Sequence, residues 1–574
     1  MGESGQNSTT KQPFILSVSK SILIIISVGI IVFFLMLFNS FVWDDFIQIV
    51  QNTDIASIRN IPRLFLSGQL GVFYRPVFYS ILAILYSLFK LNPFYYHAFQ
   101  LILHLSNTVL IFLFFKRIFK KRLSLLLSLM FLVHPINVEA VVYISAVSDT
   151  LFVFFGLLAL FLVTKTKENI FDVLLASLLV LLSMLTKEAG VLFLVIILLY
   201  RLFFNRKNPL WTVIFAAIPL IFYSFLRFFV ANTYFSGVNF VPIAEASLVD
   251  RLLTIPKIIF FYLSTFVIPI RLSIAQEWVV RAASFGDFFV PLIVDIGVMI
   301  ALVWMGTYII KTQKKDFLLY VFFMLWFLIG LSIYLQVIPL DMTVAERWFY
   351  FPIIGLLGVV GLFLTKTPFI YKQKDKVIVI LVFILVIFSL RSIVRSISWY
   401  DGYTLYSHDE KINNDNYLLK HNLAVELAKK GNYDEALKYD EESIHLNPDW
   451  GMSWALTGTI YYYRKDISKT NYYLTEALKR DGGIYGAFFY LGKSYIYTKD
   501  YISAENWIRQ GLRSFPDNWQ LTELLTIAEY LQGNQVEAQE LVQKLIKLYP
   551  SARTRTLYNS IYNKQQLPTE LFIN

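Results

Sequence analysis

The first 400 residues are dominated by uninterrupted apolar runs of about 20 residues, and this pattern restricts the chain to one class of fold. A helical run of that length matches the hydrocarbon thickness of a bilayer. Because backbone groups in a bilayer must be hydrogen-bonded within their own segment, the runs predict spanning helices. We assign about 11 spans, at 20–40, 95–115, 123–142, 150–164, 170–186, 189–204, 210–230, 288–310, 316–337, 349–365 and 376–395.

Lysine and arginine are concentrated between these runs, and they indicate the orientation of the chain. Short basic loops remain in the cytoplasm, so the clusters should all fall on one side. With a cytoplasmic N-terminus they do so, at 116–122, 165–167, 205–207, 311–315 and 372–374. Two further apolar stretches, 76–90 and 255–270, could be counted as spans. Counting only one of them as a span would place the later basic clusters outside. We therefore expect both to be re-entrant or surface-lying helices in external loops.

Composition supports a multi-pass membrane protein and limits its partners. Hydrophobic residues make up 57% of the chain, and the net charge of +11 belongs to residues 1–400, since 401–574 carry a slight acidic excess. The basic excess is therefore explained by cytoplasmic loops, and we expect a lipid bilayer as partner and no nucleic acid. The apolar run at 21–38 is long for a signal peptide and predicts a retained first span. The absence of cysteine excludes disulfides and thiolate metal sites.

Residues 401–574 have a different, mixed composition and contain an internal repeat. Proline or glycine recurs with a period of 34 residues, at Pro448, Gly482, Pro516 and Pro550. Each unit predicts two amphipathic helices, which resembles tetratricopeptide repeats at 417–450, 451–484, 485–518 and 519–550. Such arrays bind peptides in a concave groove, although a structural stalk or dimerisation arm remains an alternative. The predicted fold is therefore all-α: a polytopic membrane helix bundle, 1–400, followed by an extracytoplasmic α-solenoid, 401–574.

Charged side chains recur at the predicted external ends of the spans, where charge is costly and is a functional-site hypothesis by default. The residues are Asp44, Asp45, Arg75, His134, Glu139, Asp149, Lys187, Glu188, Glu346 and Arg347. Cytoplasmic turns differ, because they are basic and lack such clusters. We find no phosphate loop, dinucleotide fingerprint or metalloprotease helix in the chain.

Each cluster also has a structural interpretation. The acidic pair at 44–45 could end a span or cap the next helix, and the His-Pro step at 134–135 could terminate one. The Arg-Pro step at 75–76 could be a turn with proline at the first helical position. The charged pairs at 187–188 and 346–347 could tie helices together. Recurrence of these clusters at one membrane face favours function.

Five motifs occur in a fixed order before the repeats: Trp43-Asp44-Asp45, Tyr74-Arg75-Pro76, HPINVEAVVYISAVSDTL (134–151), LTKEAG (185–190) and ERWFYFP (346–352). Together they resemble the transmembrane and tetratricopeptide-repeat-containing O-mannosyltransferases of the GT-C glycosyltransferase superfamily. The resemblance implies a GT-C-type bundle with its active site on the non-cytoplasmic face, a polyprenyl-phosphate-linked sugar donor and an inverting transfer. Four repeats, no cysteine and an Ile/Lys/Asn-rich chain point to a prokaryotic relative in the plasma membrane.

The resemblance also implies residue roles. Asp44 and Asp45 occupy the position of the catalytic acidic pair, one as general base and the other positioning it or holding Mg²⁺ or Mn²⁺; we favour Asp45 as the base. A carboxylate buried near the bilayer should have a raised pKa. Arg75, Lys187 and Arg347 are candidates to hold the donor phosphate. The remaining pocket candidates match the signature motifs but have no assigned step: His134, Glu139, Asp149, Glu188 and Glu346.

Three functional hypotheses follow. The first is transfer of mannose or another hexose from the lipid donor to Ser/Thr hydroxyls of an external protein presented by the repeats. The second is transfer to a glycan or lipid envelope polymer, with the repeats recruiting partners. The third is a non-catalytic membrane scaffold. A transporter is disfavoured, because transporters place charges in mid-span and repeat their halves.

Overall fold

The computed structural model describes residues 17–69, 73–165, 169–205, 208–234, 241–367, 373–568 and 571. The predicted all-α class is confirmed, because this part of the chain forms helices and no strand, only one isolated bridge between Gln69 and Phe73. The chain divides into two compact units, Met1–His408 and Asp409–Asn574. Parts of the predicted basic loops at 165–167, 205–207 and 372–374 lie outside the described residues.

The first unit is a bundle of apolar helices. Its α-helices are Val18–Phe33, Ile61–Leu64, Pro76–Phe89, Pro93–Phe115, Lys121–Val133, Val138–Val142, Val147–Val163, Ile170–Thr186, Val191–Phe204, Pro209–Ser224, Pro242–Glu245, Leu248–Val267, Val290–Thr312, Lys314–Ser332, Pro352–Lys366 and Lys374–Ser398. The next helix, Gly402–Glu410, includes the boundary between His408 and Asp409. Among the described residues, seven helical segments are long and apolar enough to cross a membrane, and a bent pair adds an eighth. The chain is thus a multi-pass membrane protein, and the count of 11 stays a prediction.

The bent pair is the helix Lys121–Val133 followed by the segment Pro135–Val142, which turn by 49° at His134. Proline at 135 removes a backbone donor, so carbonyl groups before it lose their helical partners. Neighbouring side chains replace them: His104 Nε2 lies 2.9 Å from the Leu132 carbonyl, and Ser392 donates to that of Val133 at 2.8 Å. Because these carbonyl groups are hydrogen-bonded by protein side chains, the helix can be interrupted inside an apolar bundle.

The helix Pro93–Phe115 also contacts two other segments of the chain, at Thr150 and at Tyr350. Asn107 donates to the Thr150 carbonyl at 2.8 Å and to the Tyr350 hydroxyl at 3.2 Å. His104 Nδ1 lies 2.8 Å from the same Tyr350 hydroxyl. Tyr350 ends the short 3₁₀ turn that begins at Glu346, and Thr150 lies in the first turn of the next span. One buried helix therefore positions both segments.

The second unit is a stack of helical hairpins. Its helices are Tyr417–Lys429, Tyr433–Leu446, Gly451–Tyr463, Ile467–Arg480, Tyr485–Tyr497, Tyr501–Ser514, Trp519–Gln532, Gln535–Leu548 and Ala552–Tyr562. In the first four hairpins the first helix begins at 417, 451, 485 and 519, which is a spacing of 34 residues. The second helix of each hairpin keeps the same spacing, beginning at 433, 467, 501 and 535. Glycine is needed where the paired helices touch: a Cβ at Gly492 would lie 2.7 Å from Ile508 Cγ1. The arrangement is that of a tetratricopeptide-type solenoid.

Candidate functional site

A cavity of about 460 Å³ in the first unit gathers six of the ten predicted site residues. Its lining includes Asp44, Arg75, Asp149, Lys187, Glu188 and Arg347. These residues come from all five motifs, so the fold brings together side chains that the chain spreads over some 300 positions. The cavity combines carboxylates and cations in one partly enclosed space, and we refer to it as the acidic–basic cavity.

The Trp43-Asp44-Asp45 motif is a strained turn. Trp43 has φ +51°, a left-handed conformation that is costly for a bulky residue and tends to persist at functional sites. Its indole stacks on the Tyr143 ring, with centroids 5.9 Å apart, and the Asp45 amide donates to the Val42 carbonyl at 3.0 Å. The turn gives the two adjacent carboxylates different surroundings: Asp44 lines the cavity, whereas Asp45 points into the protein.

Asp45 serves the loop structure. Its carboxylate is fully buried and accepts hydrogen bonds from the Ser145 amide at 2.8 Å, the Ser145 hydroxyl at 2.5 Å and the Val42 amide at 3.0 Å. Burial raises the pKa of Asp45 to about 7 despite these donors. Because both oxygens are occupied away from the cavity, this geometry argues against the sequence-based preference for Asp45 as the base.

Asp44 has the surroundings expected of a base. Its side chain is half-buried and faces the cavity, and among the described residues it forms no ion pair. Burial raises its pKa, and nearby Asp341 adds to the rise, whereas the Tyr143 hydroxyl and the Arg347 guanidinium oppose it. A raised pKa strengthens a carboxylate as a proton acceptor at neutral pH.

Each cavity cation is held by a carboxylate. The pairs are Lys187 Nζ with Asp149 Oδ1 at 2.6 Å, Arg75 Nε with Glu188 Oε2 at 2.9 Å, and the Arg347 guanidinium with Glu139. The Arg347 amide also donates to Glu139 at 3.2 Å. Glu139 itself is fully buried and does not line the cavity, and its two contacts fix the position of Arg347. Lys187, Glu188 and Arg347 thus form ion pairs with residues distant in sequence and not with their immediate neighbours.

The glycine of the LTKEAG motif, Gly190, lies where two backbone segments approach each other closely. A Cβ at Gly190 would lie 2.3 Å from the Ser183 carbonyl carbon, so no other residue fits without movement. The tight turn presents Lys187 and Glu188 side by side. Although burial acts to raise it, Arg75 and Arg227 hold the pKa of Glu188 below its usual value.

Two further predicted site residues, His134 and Glu346, also lie outside the cavity and support the loops. His134 caps the Ile136 amide through Nδ1 at 3.2 Å, and its Nε2 lies 2.9 Å from the Phe266 carbonyl. Glu346 accepts a hydrogen bond from the Ser273 amide at 2.7 Å. Both side chains are fully buried. For these two, the structural interpretation fits better than a place in the pocket.

The cavity also contains residues that no motif identified. Asp341 lies at its rim, and Tyr334 and Trp348 stack within its wall, with ring centroids 5.0 Å apart. The Asp341 loop is organised by buried Gln336, which donates to the Met342 carbonyl at 2.8 Å. Asp341 is charged and lies in the same predicted external loop as Glu346 and Arg347, so its sequence position already marks it as a candidate, whereas no sequence pattern indicates the aromatic pair.

A divalent cation does not fit the predicted pair of ligands. Adjacent carboxylates can share Mg²⁺ or Mn²⁺ only if their oxygens converge. Here Asp45 is turned away and holds three donors. In the described part of the chain no group of three or more acidic or histidine side chains is placed to hold a metal ion. The requirement for a divalent cation therefore stays a prediction, and the described residues offer no binding site for it.

The pH dependence of activity should identify Asp44 as the titrating base. Activity is expected to fall as pH drops through its pKa, because only the carboxylate accepts a proton. Asp341→Asn removes a charge that raises this pKa, so the acidic limb should move to lower pH. Tyr143→Phe removes a hydroxyl that lowers it, so the limb should move to higher pH. Initial rates across a pH series measure both shifts; shifts in the same direction would contradict the assignment.

The predicted resemblance is confirmed by comparison with known proteins. The chain is 24% identical over 493 residues to the mouse protein O-mannosyl-transferase TMTC3, covering 75% of this chain and 51% of that protein. It is 26% identical over 470 residues to the Caenorhabditis elegans protein O-mannosyl-transferase F38B6.6, covering 75% and 63%. The chain thus spans between half and two thirds of the length of these curated relatives. No family model matches.

Solved structures resemble the chain only weakly. One is YrrB, described as a tetratricopeptide-repeat protein with an unusual peptide-binding site, at 12% identity and TM-score 0.26, covering 28% of this chain and 82% of that one. Another is the APC/C hetero-tetramer Cut9–Hcn1, at 14% identity and TM-score 0.27, covering 85% and 89%. TM-scores this low leave both structures without bearing on the site.

Proposed function

We propose that this chain is an inverting, GT-C-type glycosyltransferase that moves mannose or another hexose from a polyprenyl-phosphate donor to a Ser/Thr hydroxyl of an extracytoplasmic protein. The observation that carries the proposal is the acidic–basic cavity. It places Asp44, a carboxylate without an ion-pair partner in the described residues, beside Arg75, Lys187 and Arg347. The similarity to proteins named O-mannosyl-transferases supports the reaction class.

The chemistry assigns one task to each kind of residue. The Asp44 carboxylate takes the proton of the acceptor hydroxyl as its oxygen attacks the anomeric carbon of the donor sugar. The bond from that carbon to the phosphate oxygen breaks, and the electron pair leaves with polyprenyl phosphate. The leaving group is an anion, and the fixed charges of Arg75, Lys187 and Arg347 stabilise it where charge develops.

The pairing of these cations suits that task. Each is held by a buried or half-buried carboxylate, so its position is set before the donor binds. Preorganised charges cost no reorganisation at the moment of reaction. In the described part of the chain Asp44 has no such ion-pair partner, which leaves its carboxylate available for the proton.

The repeats supply a surface for a polypeptide acceptor. A groove of about 260 Å³ in the second unit is lined by Tyr462, Lys493, Tyr497 and Leu524 from three successive repeats. Tetratricopeptide arrays bind extended peptides on such concave faces. This feature favours a protein acceptor over an envelope polymer.

A transfer assay with the purified full-length chain tests the proposal. We expect incorporation of labelled hexose from polyprenyl-phosphate hexose into a Ser/Thr-rich protein, with none from a nucleotide-linked sugar. A chain ending at residue 408 should lose transfer to protein while still turning over the donor. Transfer to a small glycan acceptor alone would favour the envelope-polymer hypothesis, and no turnover of any lipid-linked sugar would favour the scaffold.

A further inference from the structure

A second cavity lies at the opposite end of the bundle from the acidic–basic cavity. The helix Val147–Val163 links the two: Asp149, in its first turn, lines the acidic–basic cavity, and Thr164 and Lys165, just past its end, line the second. A helix of 17 residues is about 25 Å long, close to the thickness of a bilayer core. The orientation predicted from the basic loops places this second cavity at the cytoplasmic face.

This second cavity, of about 590 Å³, has an aromatic wall. Tyr200, Phe204 and Phe322 pack on one another, with ring centroids 5.2 to 5.9 Å apart. Phe204 is 40% exposed, so the wall is open to the surroundings of the bundle. In a membrane those surroundings include lipid chains, and the wall offers them an apolar contact.

The mouth of the cavity is positively charged. The Arg117 side chain is exposed, donates to the Phe161 carbonyl at 3.2 Å and to the Thr164 hydroxyl, and lies 4.3 Å above the Phe161 ring. All these partners are uncharged. Lys165 adds a second cation, which Asp172 already pairs at 2.7 Å. Among the described lining residues there is no acidic side chain.

We infer that this cavity binds an anionic phospholipid, with the phosphate at Arg117 and an acyl chain along the aromatic wall. Guanidinium groups bind phosphate through charge-assisted, bidentate hydrogen bonds. Basic pockets between helices at the cytoplasmic face suit lipid headgroups. The hydroxyl of Thr164, already at the guanidinium, provides a neutral neighbour for the phosphate oxygens. The site is separate from the proposed transfer reaction and does not depend on it.

Native mass spectrometry of the full-length protein in detergent tests this site, with phosphatidylglycerol, phosphatidylcholine or polyprenyl phosphate added singly. Wild type should retain phosphatidylglycerol in preference to phosphatidylcholine. Arg117→Gln should weaken retention of phosphatidylglycerol about fivefold, the usual contribution of one basic residue near an anionic lipid surface. Arg117→Lys should keep most of it. Arg122→Gln is the matched control, since Arg122 is an exposed arginine near the same loop that does not line the cavity.

Phe204→Ala tests the aromatic wall independently of the charge, because this ring lines the cavity and is 40% exposed, although it also packs on buried Phe322. It should reduce retention of phosphatidylglycerol while the protein still unfolds in one cooperative thermal transition. Equal retention of the two phospholipids by wild type would overturn the inference, as would equal losses in Arg117→Gln and Arg122→Gln. Retention of polyprenyl phosphate alone would also overturn it. None of these readouts involves hexose transfer, so failure here leaves the proposed reaction unaffected.

Discussion

Asp44→Asn is expected to abolish hexose transfer while leaving the protein folded. The amide cannot accept the proton of the acceptor hydroxyl, and general-base catalysis is typically worth about 10²–10⁴-fold in rate. Folding should be unaffected or slightly favoured, because the substitution removes a half-buried charge that has no ion-pair partner among the described residues. Initial rates with lipid-linked hexose, together with thermal unfolding of the same preparation, measure both effects.

Two further variants make this result specific. Asp54→Asn is the matched control: Asp54 is an exposed carboxylate in the same loop and does not line the cavity, so transfer should persist. Asp45→Asn should instead lower stability, because an amide group would face donors such as the Val42 amide in a buried turn, at a cost of about 1–3 kcal/mol. If Asp44→Asn stayed active and a stable Asp45→Asn protein were inactive, the base would be Asp45.

Arg347→Gln is expected to cause the largest loss of stability among the cavity variants. It leaves the Glu139 carboxylate, which is fully buried, without its guanidinium partner. Removing one member of a buried ion pair typically costs about 3–5 kcal/mol, since the remaining charge is uncompensated. The thermal unfolding midpoint in detergent should fall clearly below that of wild type. An unchanged unfolding midpoint would mean that solvent reaches the Glu139 carboxylate.

The double variant Glu139→Gln/Arg347→Gln separates the two roles of Arg347. Two amides can hydrogen-bond in place of the ion pair, so stability should recover most of the loss. Transfer should not recover, because the cavity still lacks one of the cations proposed to stabilise the leaving phosphate. Recovery of both properties would restrict Arg347 to a structural role. The single variant Glu139→Gln completes the double-mutant cycle, together with wild type, Arg347→Gln and the double variant.

Some elements of the site could be predicted from local sequence, and others could not. Asp44 and Lys187 lie next to predicted span ends, and Arg75 directly precedes the apolar stretch 76–90. A charge in such positions is unusual enough to be noticed without a structure. His134 and Glu346 share that position, yet the structure uses them to satisfy backbone amides of neighbouring loops. A charged residue at a span end has the same sequence pattern in either case, because the pattern contains no information about which way the side chain points.

Sequence alone determined the membrane bundle, the helical repeats and the resemblance, because run length, basic loops and a 34-residue period arise from local physics along the chain. Only the tertiary structure decided which of two adjacent carboxylates reaches the cavity. That choice follows from the left-handed turn at Trp43 and from donors 100 positions away on Ser145. It likewise decided that Arg347 pairs with Glu139, 208 residues earlier, and not with its neighbour. Contacts at that separation depend on how helices pack, which no local pattern specifies.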